Sequence, residues 1–168
     1  MRSLVTALVE ALCILAWLIA PTAVAATEPA MATATLRHAA DFAADAREAR
    51  LLRAPVLVLF SQSSCAWCER VRREYLAPMQ NDPAYRNRVL IREVDADAGD
   101  ALVDFSGARI TQKEYAGRFR VKKVLVIVLL GPDGELLSEP MVGMALPDFY
   151  QAYLDDAIDN GRRKLGAR

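Results

Sequence analysis

Two cysteines, Cys65 and Cys68, stand two residues apart in the stretch Ser61-Gln62-Ser63-Ser64-Cys65-Ala66-Trp67-Cys68-Glu69-Arg70. Thiols at this spacing can close a small disulfide ring. If the first of them sits at a helix N-terminus, the macrodipole and the unpaired backbone N–H groups there stabilise its thiolate. The surroundings suit that geometry: the apolar run from Pro55 to Phe60 comes directly before, and a charged, helix-periodic segment follows. The chemistry is thiol–disulfide exchange. Cys65 is the expected nucleophile and Cys68, one helical turn further in, the resolving thiol that attacks the mixed disulfide. The sequence holds three cysteines, and Cys13 lies in a segment expected to be removed. No structural disulfide framework is then available, and the pair left over is the reactive one.

Other chemistries find fewer residues. Zinc asks for four ligands, and beyond the two thiols only His38 offers a soft donor; it is expected on the surface of the first helix. Covalent haem attachment needs His after the second cysteine, where Glu69 stands. No metal and no cofactor is therefore expected. Glu69 and Glu74 are expected on a solvated helix face, and Trp67 as an outward apolar rim that would meet a substrate. Lys+Arg and Asp+Glu are equal at 21 each, so no global field favours nucleic acid. The Arg162-Arg163-Lys164 cluster is expected to complement the dipole of the last helix.

The elements that must position the dithiol follow from patterning. Residues 1–25 resemble a secretory signal, with Arg2 in a basic n-region, the apolar stretch Ala11 to Ala20 and an Ala23-Val24-Ala25 cleavage site. An uncleaved membrane anchor is the alternative. Residues 26–35 read as a linker and 36–168 as one folded domain. Leu36 to Arg53 has helical spacing through Phe42, Ala46, Ala49 and Leu52, and Val56 to Phe60 suits a strand buried on both faces. A helix is expected from Cys65 to about Pro78, and a short one from Pro83. Val89 to Asp95 alternates as a strand, with Val89, Ile91 and Glu93 on one side and Leu90, Arg92 and Val94 on the other. Asp95 to Gly107 reads as a loop into which Leu102, Val103 and Phe105 tuck. Thr111 and Glu114 form a capping box for a helix through about Arg118. A central strand from Val124 to Leu130, a Gly131-Pro132-Asp133-Gly134 turn and a returning strand over Glu135 to Ser138 come next. The final helix starts at Pro147-Asp148, with Phe149, Tyr153, Leu154, Ala157 and Ile158 as its apolar stripe.

This order implies an α/β, three-layer arrangement: a mixed central sheet flanked by helices, with a parallel β-α-β portion leading into an antiparallel hairpin. The pattern resembles the thioredoxin superfamily and, within it, the periplasmic thioredoxin-related proteins of the SoxW type. Carrying the likeness are the Cys65–Cys68 motif after its strand, Leu76-Ala77-Pro78, Val94-Asp95, Phe105-Ser106-Gly107, Phe119-Arg120-Val121 and the Gly-Pro-Asp-Gly turn. It spans roughly Leu36 to Lys164.

The resemblance implies an exported thiol–disulfide oxidoreductase that acts on protein disulfides or dithiols. It also implies a membrane thiol-transfer partner as electron donor, because the periplasm is held oxidising. Strongly oxidising relatives carry a histidine between the cysteines; Ala66-Trp67 supplies none, which points to a reductase or dithiol carrier. Two positions depart from the family. Leu125 stands where a cis-proline is expected, in the loop that includes Val124 and that, in relatives, offers backbone hydrogen bonds to a bound peptide. A trans bond is the default for leucine. Leu59 replaces a buried aspartate that in cytoplasmic thioredoxins helps take the proton from the second cysteine. The Leu125 departure keeps a second reading open, a binding domain of the same fold without turnover; a metal-binding module is a third.

Overall fold

In a computed structural model of the chain, residues 35–121, 125–144 and 146–166 are described. The expected signal segment, all of the linker but Thr35, Cys13 and Val124 lie outside the described residues, as does the peptide bond joining Val124 to Leu125.

The continuous apolar runs become the middle of a four-stranded sheet. Strand β1, Val56–Ser61, is buried at every position, as is β5, Val126–Leu130. With β2, Leu90–Asp95, and β6, Met141–Val142, they make a sheet in the order β2-β1-β5-β6. β1 runs parallel to β2 and antiparallel to β5, and β5 runs antiparallel to β6. The sheet is therefore mixed, as expected.

Alternation along each strand divides the core in two. Leu57, Leu59, Ile91, Ile127 and Leu129 face one layer of helices, while Val58, Phe60, Leu90, Val94 and Val128 face the other. Helix α1, Phe42–Leu52, covers the second face with Phe42 and Ala49. It starts six residues later than the periodicity predicts. Asp41 caps it by accepting the Ala44 N–H at 2.8 Å, and the residues before it run extended. That stretch bonds along β2: Ala39 donates to the Glu93 carbonyl at 2.8 Å, and Glu93 donates to that of Arg37 at 2.9 Å. His38 is thus exposed on an extended segment, bridged to Glu93, rather than on a helix.

The dithiol helix continues past Pro78. Helix α2, Ala66–Val71, passes through a π-turn, Arg72–Leu76, into α3, Ala77–Asn81. Ala77 donates to the Arg72 carbonyl, five residues back. Pro78 has no N–H, and its ring would collide with the carbonyl four residues earlier; the wider turn ahead of it relieves that crowding. Residues 83–88 form turns rather than the short helix expected at Pro83.

Where the loop from Asp95 was expected, a two-stranded ribbon forms from β3, Ala101–Val103, and β4, Arg109–Thr111. Its tip is tied by Asp104, which accepts the N–H groups of Ser106 at 2.8 Å and Ala108 at 3.0 Å. The ribbon tucks Leu102 into the core and stacks Phe105 on Phe42, with ring centroids 4.9 Å apart. Thr111 opens helix α4, Gln112–Arg118, with the capping box complete.

The Gly131–Gly134 turn forms, but the returning strand is displaced. Glu135 to Ser138 contributes one bridge, Leu136 to Leu130, and the ladder resumes at β6. A 3-10 turn, Pro147–Phe149, leads into helix α5, Tyr150–Gly166. Its buried stripe is Tyr150, Leu154, Ile158 and Gly161; Phe149 and Tyr153 are exposed. In the basic cluster, Arg162 donates to the Asn87 carbonyl at 2.8 Å, and Lys164 bonds the Leu137 carbonyl. Among the described residues, no helix is long and apolar enough to cross a membrane.

Candidate active site

Cys65 and Cys68 are joined by a disulfide, with an S–S distance of 2.13 Å and Cα atoms 5.2 Å apart. Cys65 occupies the N-cap of α2 with extended backbone dihedrals, φ −92° and ψ 98°. Its sulfur accepts the backbone N–H of Cys68 at 3.0 Å. A helix leaves its first N–H groups without intrahelical partners, and the Cys65 sulfur takes the place that a serine or aspartate oxygen holds in an ordinary cap. The two sulfurs are inequivalent. Cys65 is partly exposed, whereas Cys68 is 0 % exposed and belongs to the core with Leu59, Val71 and Leu125.

Trp67, between the cysteines, is 56 % exposed, with the Arg70 guanidinium 5.7 Å from its ring centroid. Arg70 in turn bonds Glu74 at 2.8 Å, and Glu69 pairs with Arg72; both glutamates are on the exposed side of the helix. The bond from Arg70 holds the Glu74 carboxyl below its ordinary value.

Leu125 leads into β5 and lies against the dithiol layer. It is 1 % exposed, packs in the same cluster as Cys68, and adopts a left-handed conformation with φ 50°. Its carbonyl accepts the Gly143 N–H at 2.8 Å, so the segment after β6 is bound to the entry of β5. The Leu125 side chain therefore faces inward as packing. Beside it lies an apolar cavity of about 220 Å³ lined by Met141, Val142, Gly143, Leu146, Tyr150 and Tyr153. The Tyr75 hydroxyl donates to the Pro147 carbonyl at 3.0 Å, tying the dithiol helix to this rim. Burial pushes the Tyr150 phenol up to about 12.

One residue near the site escaped the sequence reading. Glu93 is 2 % exposed in β2, opposite Leu59 in the parallel register. It accepts the Ser61 hydroxyl at 2.5 Å and Arg72 Nε at 3.0 Å, and pairs with Arg72 Nη2 as well. Burial pushes its carboxyl up, but hydrogen bonds from Arg72 and Ser61 and the Arg72 charge outweigh that and hold it below the ordinary range. The available signal was the charged pair Arg92-Glu93 inside a run otherwise apolar from Val89 to Val94. Among the described residues, no three His, Cys, Asp or Glu side chains converge on a position that could hold a metal ion.

Residues 42–158 match the thioredoxin-like domain family. Solved structures similar to the chain include the following two. Trxlp from Edwardsiella tarda is 26 % identical with a TM-score of 0.47, covering 66 % of this chain and 91 % of that one. A thioredoxin-fold protein from Helicobacter pylori is 18 % identical with a TM-score of 0.49, covering 68 % and 81 %. No curated protein matches the sequence. With a family match over most of its length and the cysteine pair at the head of the first helix after β1, the chain belongs to the thioredoxin-like domain family.

Proposed function

We propose that the chain is a thiol–disulfide oxidoreductase, exported by its N-terminal segment to the periplasm, that works on protein disulfides as a reductase or dithiol carrier. The observation that carries the reading is the asymmetry of the pair: Cys65 partly exposed at a helix N-cap with its sulfur on a backbone N–H, Cys68 fully buried behind it. In the cycle, the Cys65 thiolate attacks one sulfur of a substrate disulfide, forming a mixed disulfide and expelling the other sulfur as a thiolate. Cys68 then loses its proton and attacks the Cys65 sulfur. The Cys65–Cys68 disulfide forms, and the second substrate thiolate leaves and is protonated. Two electrons pass to the substrate, and a membrane dithiol partner restores the reduced pair. Of the motifs in the SoxW-type likeness, Leu76-Ala77-Pro78 runs from the end of the π-turn into α3 and Phe105-Ser106-Gly107 forms the ribbon tip.

Equilibration of the purified chain with a glutathione or dithiothreitol series tests the proposal. A reversible two-electron transition near the thioredoxin value of about −270 mV supports a reductase, and one near about −120 mV makes the protein an oxidant instead. Absence of any transition favours the second reading, a binding domain of the same fold, which draws on the left-handed Leu125 in place of the family proline.

A further inference from the structure

A charged pair inside the core has to be accounted for, because an ion removed from water costs several kcal/mol unless it is compensated. Glu93 is such an ion, and its compensation comes from the dithiol helix itself. Arg72 is four residues beyond Cys68, and its backbone N–H donates to the Cys68 carbonyl. Residues at this spacing are neighbours on one helical face, with Cβ atoms about 5–6 Å apart. Cys68, Leu59 and Ile91 belong to one core layer, and the period of two places Ser61 and Glu93 on that same side of β1 and β2. The Glu93 carboxylate thus lies on the Cys68 side of the sheet, and Arg72, one helical turn beyond Cys68, reaches it from the dithiol helix.

We infer that the Arg72–Glu93 ion pair positions the charge around Cys68 and through it sets the reduction potential of the Cys65–Cys68 couple, an inference that rests on the exchange chemistry proposed above. The disulfide is neutral, whereas the reduced pair carries negative charge whenever a thiolate forms. A cation near Cys68 therefore favours the reduced state and an anion disfavours it, and the pair holds these opposing effects close to balance. The other groups around Glu93 are the Ser61 hydroxyl from β1, the backbone-bridged His38 from the extended stretch, and Glu69 from α2. Thr35, His38, Glu69, Arg72 and Glu93 line a cleft of about 370 Å³, through which solvent reaches the rim of the cluster.

The test is the equilibrium constant of the full chain with glutathione at pH 8, where thiolates are populated. The wild type is compared with Glu93→Gln, Arg72→Met, Arg72→Lys and the double variant Arg72→Met/Glu93→Gln. Glu93→Gln leaves the cation unopposed and should favour the reduced form about tenfold, or about 30 mV more oxidising. Arg72→Met leaves the anion unopposed and should shift the constant about tenfold the other way. Arg72→Lys and the double variant should stay near wild type. A pair that only holds the fold together would lower stability in both single variants without opposite redox shifts. Unchanged potentials, or shifts of one sign, overturn the inference and leave the proposed function standing. If the wild type shows no couple, both fall. Should Arg72→Met not fold, Glu93→Gln against the double variant reads the same sign.

Discussion

Gly143 donates its backbone N–H to the carbonyl of Leu125 at 2.8 Å, and both residues have positive φ, 73° and 50°. Glycine adopts that conformation without strain, whereas for leucine the Cβ crowds the following carbonyl. The strain lies at the entry to β5, where the surrounding packing must hold it in place: Leu125 is buried in the cluster that holds Cys68, Ile127 and Met141. Position 125 therefore combines a backbone that favours glycine with a side chain the core needs.

That combination reverses an ordinary ranking. Leu125→Ala loses a buried side chain, at a cost of about 2–5 kcal/mol, and keeps the left-handed backbone. Leu125→Gly loses the same packing but sheds strain of about 1–2 kcal/mol. The glycine variant should therefore be the more stable of the two by about 1 kcal/mol, where glycine is normally the worse. Leu125→Pro, which installs the family residue, should be less stable than wild type, because the pyrrolidine ring cannot reach φ 50°. Urea unfolding of the three variants decides the order.

A second buried pair, away from the dithiol, offers a contrast. Arg92 in β2 holds Asp45 in α1 through Nε at 2.9 Å and Nη2 at 2.5 Å, with both residues buried. Breaking one partner strands the other charge, so Asp45→Ala should cost about 3–5 kcal/mol. Replacing both, Asp45→Leu with Arg92→Met, should recover most of that loss. The redox potential should not move in either variant, since Arg92 points to the face opposite the dithiol layer. Chemical denaturation and the glutathione equilibrium measure the two quantities separately.

What the sequence made legible depended on whether local pattern and tertiary role agreed. β1 from Val56 to Phe60 and all of β5 are apolar because helices cover both faces, and Thr111 with Glu114 carries its own cap, so these elements read directly. The β3–β4 ribbon did not: its strands are three residues each, and its turn is held by the Asp104 side chain rather than by a pattern of apolar residues. In the last helix, the 3-10 turn at Pro147–Phe149 offsets the inward face, so Tyr150 is buried and Phe149 and Tyr153 are left outside. At the site, the cysteine spacing was sufficient to locate the dithiol. Glu93 was not recognisable as a buried charge until the parallel register brought it beside Ser61 and the helix brought Arg72 across it.

Asp104 gives a pH dependence with a defined sign. The Ser106 hydroxyl bonds it at 2.6 Å, Arg118 Nη1 at 2.6 Å, and the Ala108 and Ser106 N–H groups complete the cage, bringing its carboxyl down to about 2. The unfolded value is about 3.9. The stabilisation is therefore complete above that value and disappears as pH falls through about 2. Asp104→Asn should cost on the order of 2 kcal/mol at pH 7. The gap from wild type should close between about pH 4 and pH 2. Urea midpoints of both proteins across that range check it; a gap independent of pH would show that the charge contributes nothing.

The inequivalence of the two sulfurs predicts which cysteine keeps a partner. With Cys68→Ser, the partly exposed Cys65 can still attack a disulfide, but nothing resolves the product, so mixed disulfides with substrates and with the proposed membrane electron donor should accumulate. With Cys65→Ser, the remaining thiol is Cys68, which has no accessible surface, and capture should fall by at least about tenfold. The measurement is the amount of high-mass species on non-reducing gels that collapses with dithiothreitol. Equal capture by both variants would mean that Cys68 is reachable and that the order of attack is not set by burial. Capture by neither, beside a normal redox couple in the wild type, would place the reaction on small thiols rather than on protein disulfides.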